Sequence, residues 1–591
     1  MGGISGIISH DGPLDAGERR VLGDGSSFSG EGVSLVARPR STLARNDRLV
    51  VLVSGHFDRA PATGLGAADA LLEAWDARGI ECLASFEGAW VAAVYERERK
   101  RLHLVRDPFG VRRLYWARKA LPTGGVRVAF SNQPRQLLDL PWVSRELARE
   151  NLAEYLSFRY VHAPRTLLRD VHALPAGHQL CIDPDGEPLL RPWFQLRYSP
   201  PYTAHPDDTS SLRELERRLN RAVAARASGR ERIGVFLSGG LDSSALALYA
   251  SKLGPLHTFT VGVQDGEGDE TPYAGRVANL LHAEHEVLRV DFPAFAEVFP
   301  QAVQACDAPI TDPAALPQLL LARAARQRVD VVLSGDGGDE IFGGRMAGVL
   351  AREARISSWF TRLPGTAGRG LATVLGAKRP ELADPGVPFG LARLIGGVHV
   401  FNAAARETLL RDPGWVRPGI RHLCLEPFYR EVVSDPVNEI LHVYLRGRMA
   451  EDSLLRTGLA AAGSGLGLRV PLLDRDLVAW CAAQPGPWKV RAGLGGIVTK
   501  WPLRELLRPV LTRTMVNRPK RVLPGPWRKW FAGPARAWIA DRVSEVREDR
   551  LKLYLPGAVD AIARAPEAPG NDARLWTMLF LDAWARDVGA G

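Results

Sequence analysis

Ile233-Gly-Val-Phe-Leu237, Ser238-Gly-Gly-Leu-Asp-Ser-Ser244 and Ala245-Leu-Ala-Leu-Tyr249 follow one another without a break. The first is an apolar run of strand length, the second a glycine turn rich in hydroxyls, and the third reads as the start of a helix. Strand, tight turn and helix in that order gather backbone N–H groups and a helix N-terminus around one point, which suits pyrophosphate. No Gly-Lys-Ser/Thr closes the turn, so it is not a Walker loop and no lysine of its own reaches the terminal phosphates. The reading is cleavage of ATP between its α and β phosphates. A purely structural turn would need Gly239 and Gly240 for their dihedrals but would have no use for the ligands Ser238, Asp242 and Ser243.

A second turn repeats the logic. Val331-Val-Leu333 runs into Ser334-Gly-Asp-Gly-Gly-Asp-Glu340 and then Ile341-Phe-Gly-Gly344. Three carboxylates at the end of another strand are expected to face the first turn. Hard carboxylate oxygens are what Mg²⁺ takes when it is shared with triphosphate oxygens, so Asp242 and Asp339 are the candidate metal ligands. The alternative, carboxylates capping the next helix, suits Glu340 and suits Asp336 and Asp339 less well.

Outward from these turns, strands alternate with helices: Ile233 to Leu237, His257 to Val263, His285 to Val290 and Val329 to Leu333. Such alternation predicts a doubly wound parallel sheet with both turns at the carboxyl ends of its strands. Beyond about residue 345 the chain reads mainly helical. The front part, to about residue 195, instead carries short apolar runs between turns: Leu49 to Val53, Trp90 to Tyr95, Leu102 to Val105, Val126 to Phe130 and Gln179 to Ile182. It reads as a sheet-rich domain with helices at Ala68 to Arg78 and Arg145 to Leu156. Residues 196–211 have the proline and polar content of a linker. The expected division is therefore 1–195, a linker at 196–211, and 212–591.

Composition bounds the class. A chain of 591 residues implies about two to four domains, and 46% hydrophobic with 24% charged residues is that of a soluble globular protein. No apolar run is long enough to span a bilayer and the start lacks a signal-like core, so a cytoplasmic protein without membrane contact is expected. Gly2 opens a partial myristoylation pattern that Gly6 does not complete. Cys82, Cys181, Cys306, Cys424 and Cys481 are dispersed, which argues for buried thiols over zinc, an iron–sulfur cluster or disulfides. The net charge of +10 admits nucleic acid, but the arginines are scattered. The denser group, Arg352, Arg355, Arg362, Arg369, Lys378 and Arg379, reads as the polar side of helices, and no nucleic-acid partner is expected.

The two turns occur with Asp269-Glu-Thr-Pro-Tyr-Ala274, Asp312-Pro-Ala-Ala-Leu-Pro317 and Arg469-Val-Pro-Leu-Leu-Asp474 in the order seen in asparagine synthetases. Over nearly its whole length the chain resembles that superfamily. The resemblance implies an Ntn-type glutaminase-like αββα sandwich followed by an ATP-pyrophosphatase domain that adenylates a carboxylate, with ATP and Mg²⁺ as cofactors. The nucleotide-binding set is Ser238, Gly239, Gly240, Asp242, Ser243, Ser244, Val261 and Gly335. Asp336 stands where the family has a catalytic acid or base. Lys520, in Asn517-Arg-Pro-Lys-Arg-Val522, looks like the family's lysine that stabilises charge on the adenylate and on departing groups.

The front domain resembles the family through Phe86-Glu-Gly-Ala-Trp90 and Arg106-Asp-Pro-Phe-Gly-Val-Arg-Arg-Leu-Tyr115. Glutamine-dependent members begin Met-Cys-Gly and attack the glutamine amide with that cysteine, activated by its own α-amine. Here the start is Met1-Gly2-Gly3, and the Asn-Gly-Glu that would hold glutamine appears as Ser54-Gly55-His56. The glutaminase is expected to be degenerate and inactive, so the nucleophile is another amine. Two branches of the superfamily work this way: β-lactam synthetases, which close a small ring, and lasso peptide macrocyclases, which join a peptide's N-terminal amine to an Asp or Glu side chain. β-Lactam synthetases place a tyrosine where this chain has Asp336, so the resemblance leads to a lasso cyclase. It implies a core peptide substrate, with a leader peptidase and a leader-recognition protein as partners. The rival readings are an ammonia-dependent asparagine synthetase, a β-lactam-synthetase-like ligase, a tRNA-modifying ATP pyrophosphatase and a non-catalytic scaffold. Dispersed cysteines oppose thiolation, Arg106 to Tyr115 opposes lysidine synthesis, and the two acidic turns oppose a scaffold.

Overall fold

The computed structural model describes residues 3–10, 13–30, 32–61, 64–122, 125–184, 187–200, 208–227, 231–264, 269–344, 348, 400–493, 496–518, 525–547 and 551–590. Gly2, Lys520 and the basic run from Arg352 to Arg379 lie outside them.

The front part contributes β1 (Ile4–Ser9), β2 (Ser26–Gly30), β3 (Val33–Ala37), β4 (Ser41–Arg45), β5 (Leu49–Arg59), β6 (Glu87–Glu96), β7 (Arg101–Arg106), β8 (Tyr115–Ala120), β9 (Val126–Ser131), β10 (His172–Ala173), β11 (His178–Ile182) and β12 (Leu189–Pro192). They form two six-stranded sheets, in the orders β10-β8-β9-β1-β3-β2 and β12-β11-β7-β6-β5-β4. Strand alternation decides the layers. Val50 and Leu52 of β5 meet Ile4, Ile8 and Leu35 between the sheets, while Val51 and Val53 face Leu71 and Trp75 of the helix Ala67–Arg78. The outer side of the first sheet, through Ile7, Val36 and Ala129, packs on Leu137, Leu138 and residues of the carboxyl-terminal half. The helix expected over Arg145 to Leu156 is shorter: a single 3₁₀ turn at Arg149–Asn151 leads into Leu152–Phe158. Its first residues are held extended because the Asp170 carboxylate takes the Ser144 N–H at 2.9 Å and Leu147 bridges Leu168.

The expected linker is also corrected. The helix Asp208–Ala227 starts inside it, and Ser199 is buried, its carbonyl accepting from Ser434 Oγ at 2.6 Å and its Oγ from Asn438 Nδ2 at 3.2 Å. Polar composition here serves a buried hydrogen-bond network.

In the second part β13 (Ile233–Phe236), β14 (His257–Val263), β15 (Glu284–Val290), β16 (Val331–Leu333) and β17 (Gly467–Arg469) build one sheet in the order β15-β14-β13-β16-β17. Every pairing in it is parallel. The chain winds outward from β13 to β14 and β15, then returns to place β16 on the other side of β13. The order therefore reverses between β13 and β16, the crevice where open α/β sheets hold ligands. Most described elements after residue 400 are helical, apart from β17 and the hairpin Arg491–Gly493 with Gly496–Val498. None of the described helices is long and apolar enough to cross a membrane. All five cysteines are free, and all but Cys181 are buried.

Candidate active site

The two turns meet because their strands are neighbours. Ile233 pairs with Val331 and Val235 with Leu333, so both chains leave the sheet at the same level. A Cβ at Gly335 would lie 3.3 Å from Asp242 Cβ and from the Ser243 backbone nitrogen, and one at Gly338 only 2.2 Å from Asp242 Oδ1. Glycine at these positions lets the second turn lie against the first.

Within the first turn, Gly239 has φ +67°, and a Cβ there would fall 2.8 Å from the Ala274 nitrogen. Ser238 and Ser243 hydroxyls touch at 3.1 Å, the Ser243 hydroxyl takes the Ser238 N–H at 3.2 Å, and the Ser238 hydroxyl takes the Gly240 N–H at 3.3 Å. This small ring shapes the loop before the helix Leu241–Ser251 begins at its N-cap Gly240, where no side chain caps it. The N–H groups of that first turn have no intrahelical acceptor, the usual basis of an anion site. Ser244 is buried on the helix. Val261 lies near the carboxyl end of the adjacent β14, where Thr260 Oγ1 donates to the Leu237 carbonyl, and its side chain packs in the core.

The expectation that three carboxylates face the first turn is corrected. Only Asp339 does so. Asp336 Oδ2 instead accepts from Ser334 Oγ and Thr457 Oγ1, each at 2.7 Å, which turns it toward the helix Leu454–Ser464. Glu340 does not cap its helix: the N-cap is Gly337 with no side-chain bond. Its carboxyl is buried, and burial, then the adjacent Asp339 charge, pushes it up to about 7 against the pull of Arg448.

Asp242 and Asp339 converge on a residue that sequence reasoning missed. Lys500 Nζ contacts Asp242 Oδ2 and lies 2.7 Å from Asp339 Oδ1. Lys500 adopts the left-handed conformation at φ +53° before the helix Trp501–Leu507, and its N–H donates to the Gly343 carbonyl at 3.2 Å. No motif announces it, because it lies 258 positions from Asp242. The chemistry of the pair nevertheless suits Mg²⁺. Two hard carboxylates already share one cation, and glycines at 338 and 344 make room for them, since a Cβ at Gly344 would fall 2.2 Å from Asp339 Oδ1.

Two further contacts bear on the surroundings. Arg518, two residues before Lys520, donates to Glu270 Oε1 at 2.6 Å and covers the Tyr273 ring, its Cζ 4.2 Å from the centroid; Tyr273 itself borders Gly239. On the other side, a π-helical stretch, Leu445–Ser453, precedes Thr457. π-Helical turns often occur at functional sites. Arg456 on the following helix donates to Asp312 at 2.8 Å, which ties the Asp312-to-Pro317 motif to this wall.

The family model described as asparagine synthase matches residues 214–586, so it spans this site from the sheet to the carboxyl-terminal helices. The chain belongs to the asparagine synthase family. A second family model, glutamine amidotransferase domain, matches residues 62–194. A putative glutamine-hydrolysing asparagine synthetase of Mycobacterium tuberculosis (strain ATCC 25618 / H37Rv) is 30% identical over 88% of this chain and 79% of its own length. Asparagine synthetase 1 of Bacillus subtilis (strain 168), also described as glutamine-hydrolysing, is 26% identical over 85% and 78%. The amidase chyE of Penicillium rubens is 26% identical over 80% and 75%. Membership of the asparagine synthase family makes the chain an ATP-dependent carbon–nitrogen ligase of the amide-forming kind.

In this asparagine synthase family member, the segment Ser54-Gly55-His56 runs into a buried ionic network between the two parts of the chain. His56 Nε2 lies 3.3 Å from Asp58 Oδ1, and Arg226 Nε lies 3.1 Å from Asp58 Oδ2. Arg226 also bonds Asp474 at 2.9 Å, at the end of the Arg469-to-Asp474 motif. Burial raises the Asp58 carboxyl, but Arg226 and then the His56 bond outweigh it and hold the group below the usual carboxylate range. Burial pushes the His56 imidazole down.

Proposed function

We propose that this synthetase closes a macrolactam on a ribosomal peptide: it adenylates an Asp or Glu side chain and joins that carbonyl to the peptide's own N-terminal amine. One observation carries the reading. The turn Ser238 to Ser244 lies against the turn Gly335 to Asp339 at the ends of neighbouring strands, while the residue before Gly3 is Gly2 rather than a cysteine. The segment expected to hold glutamine also lies beside the Asp58, Arg226 and Asp474 network. A ligase that activates carboxylates without hydrolysing glutamine takes its nitrogen from elsewhere.

ATP sits on the first turn with its departing pyrophosphate toward Ser238, Gly239, Gly240 and Ser243, where backbone N–H groups and the helix N-terminus stabilise the developing charge. Asp242 and Asp339 would hold Mg²⁺, which would neutralise charge on the triphosphate oxygens. The substrate carboxylate attacks the α-phosphorus and pyrophosphate leaves. The amine then attacks the acyl carbon, gives up one proton, and AMP departs. Asp336, aimed by Ser334 and Thr457, accepts that proton. Lys520 stabilises charge on the adenylate. Holding the folded peptide with its amine facing the adenylate replaces a disfavoured ring closure by proximity. A leader peptidase and a leader-recognition protein deliver the substrate.

Incubating the protein with ATP, Mg²⁺ and the core peptide encoded beside its gene tests this. The expected result is a peptide lighter by one water, with AMP formed in equal amount. AMP formed instead with free aspartate and ammonium, and none with the peptide, would establish the ammonia-dependent asparagine synthetase. Glutamate released from glutamine in step with AMP would restore the glutaminase.

A further inference from the structure

The helix Leu152–Phe158, the loop that follows it and the helix Ile420–Arg430 bring Glu154, His162 and Cys424 together. A carboxylate oxygen, a ring nitrogen and the thiol sulfur lie within 4.8 Å of one another. All three residues are buried, at 0%, 2% and 3% exposure. Glu154 organises the group: its Oε1 accepts from the His162 backbone N–H at 2.7 Å and lies 2.6 Å from His162 Nδ1. Its Oε2 lies 2.8 Å from an Arg165 nitrogen that also donates to Cys424 Sγ at 3.4 Å. Among the described residues His162 Nε2 has no hydrogen-bond partner. Rings of Phe158, Tyr160 and Phe428 surround the imidazole, their centroids 5.0, 4.9 and 5.3 Å from its own.

Burial raises the Glu154 carboxyl, but the His162 bond and then Arg165 outweigh it and hold the group below the usual carboxylate range. It is therefore a buried anion. Burial pushes the Cys424 thiol up to about 12, so its proton stays until a metal displaces it. The mixture of donors selects the ion. Ca²⁺ and Mg²⁺ take shells of oxygen, whereas sulfur, imidazole nitrogen and carboxylate together are the donor set of zinc. Ligand atoms of one tetrahedral zinc lie roughly 3.5 Å apart, so an ion draws this set inward only slightly. The fourth position is where Arg165 stands. That side chain is 41% exposed, which leaves it free to swing into water and open a way in. Paired cysteines are the usual sequence sign of zinc, and three ligands from separate segments carry none.

We propose that Glu154, His162 and Cys424 form a zinc site that the Arg165 guanidinium closes in the metal-free protein. Binding displaces the guanidinium, releases the thiol proton to solvent and ties the front part of the chain to the carboxyl-terminal helices. The site involves no adenylation residue, so it stands or falls separately from the macrolactam reading.

Cobalt(II) titration of the tag-free full chain, stripped with EDTA and dialysed, tests it by absorption. A thiolate-to-cobalt band should saturate at one ion per chain, vanish on addition of Zn²⁺ and persist in Mg²⁺. Its midpoint should move to lower Co²⁺ as pH rises, because binding releases a proton. Cys424→Ser should lose the band. Arg165→Met removes the competing cation and should move the midpoint to lower Co²⁺, and it supplies a second variant should the first not fold. A wild type without the band at saturating cobalt, or a band that survives Cys424→Ser, would overturn the proposal. An Arg165→Met midpoint no lower than that of wild type would overturn the part assigned to the guanidinium.

Discussion

Replacing Lys500 by methionine removes the ammonium shared by Asp242 and Asp339 and keeps most of the apolar length of the side chain. The Lys500 side chain is only 4% exposed, and Asp339, 2.7 Å away, is 40% exposed. Deleting one partner of a buried ion pair costs about 3–5 kcal/mol. The exposure of Asp339 places this case near the lower end, at about 3 kcal/mol, because water screens the charge left behind. For a protein of this size that corresponds to a fall of roughly 2–3 °C in melting temperature. The same change removes the ammonium that the two carboxylates share, so Lys500→Met should gain more stability from Mg²⁺ without nucleotide than wild type, in which Lys500 already supplies a charge. Thermal melts of both proteins in EDTA and across a Mg²⁺ titration measure these terms together. A variant as stable as wild type in EDTA, or one that responds to Mg²⁺ no more than wild type does, would refute the view that Asp242 and Asp339 share a cation site.

Gly239→Ala forces a side chain into the left-handed region and against the Ala274 nitrogen; a loss of about 1–3 kcal/mol and of ATP-dependent pyrophosphate release is expected, read by melts and a pyrophosphate assay. Thr457→Val removes a hydroxyl from Asp336; turnover should fall several-fold with KM for ATP unchanged, and a change confined to KM would detach Asp336 from the chemistry. Glu87 is pushed up to about 7, by burial first and then by the Asp474 charge. Its proton therefore favours the folded state fully below about 4.5, and that contribution is lost as pH rises through about 7. Glu87→Gln should flatten the fall in melting temperature over that window and leave the protein more stable than wild type at pH 8; an unchanged pH profile would remove Glu87 from the account.

What the sequence determined by itself is local. A continuous apolar run ending in Ser-Gly-Gly or Ser-Gly-Asp contains its own instructions for strand, turn and helix, and β13, β14, β15 and β16 lie close to where the apolar runs placed them. Both turns were legible for the same reason. β17 was not, since three residues carry no periodicity and Gly467–Arg469 becomes a strand only by pairing with β16. Nor was the bonding of Ser199 to Ser434 and Asn438, within a segment whose composition reads as a linker. Tertiary structure alone decided which charges meet. It bonded Asp336 to Thr457, brought Lys500 between Asp242 and Asp339, and set Arg226 against Asp58. Secondary structure depends on neighbours a few residues apart, so spacing reveals it. The partner of a buried charge is whichever opposite charge the packed chain brings within reach, and sequence distance does not encode that.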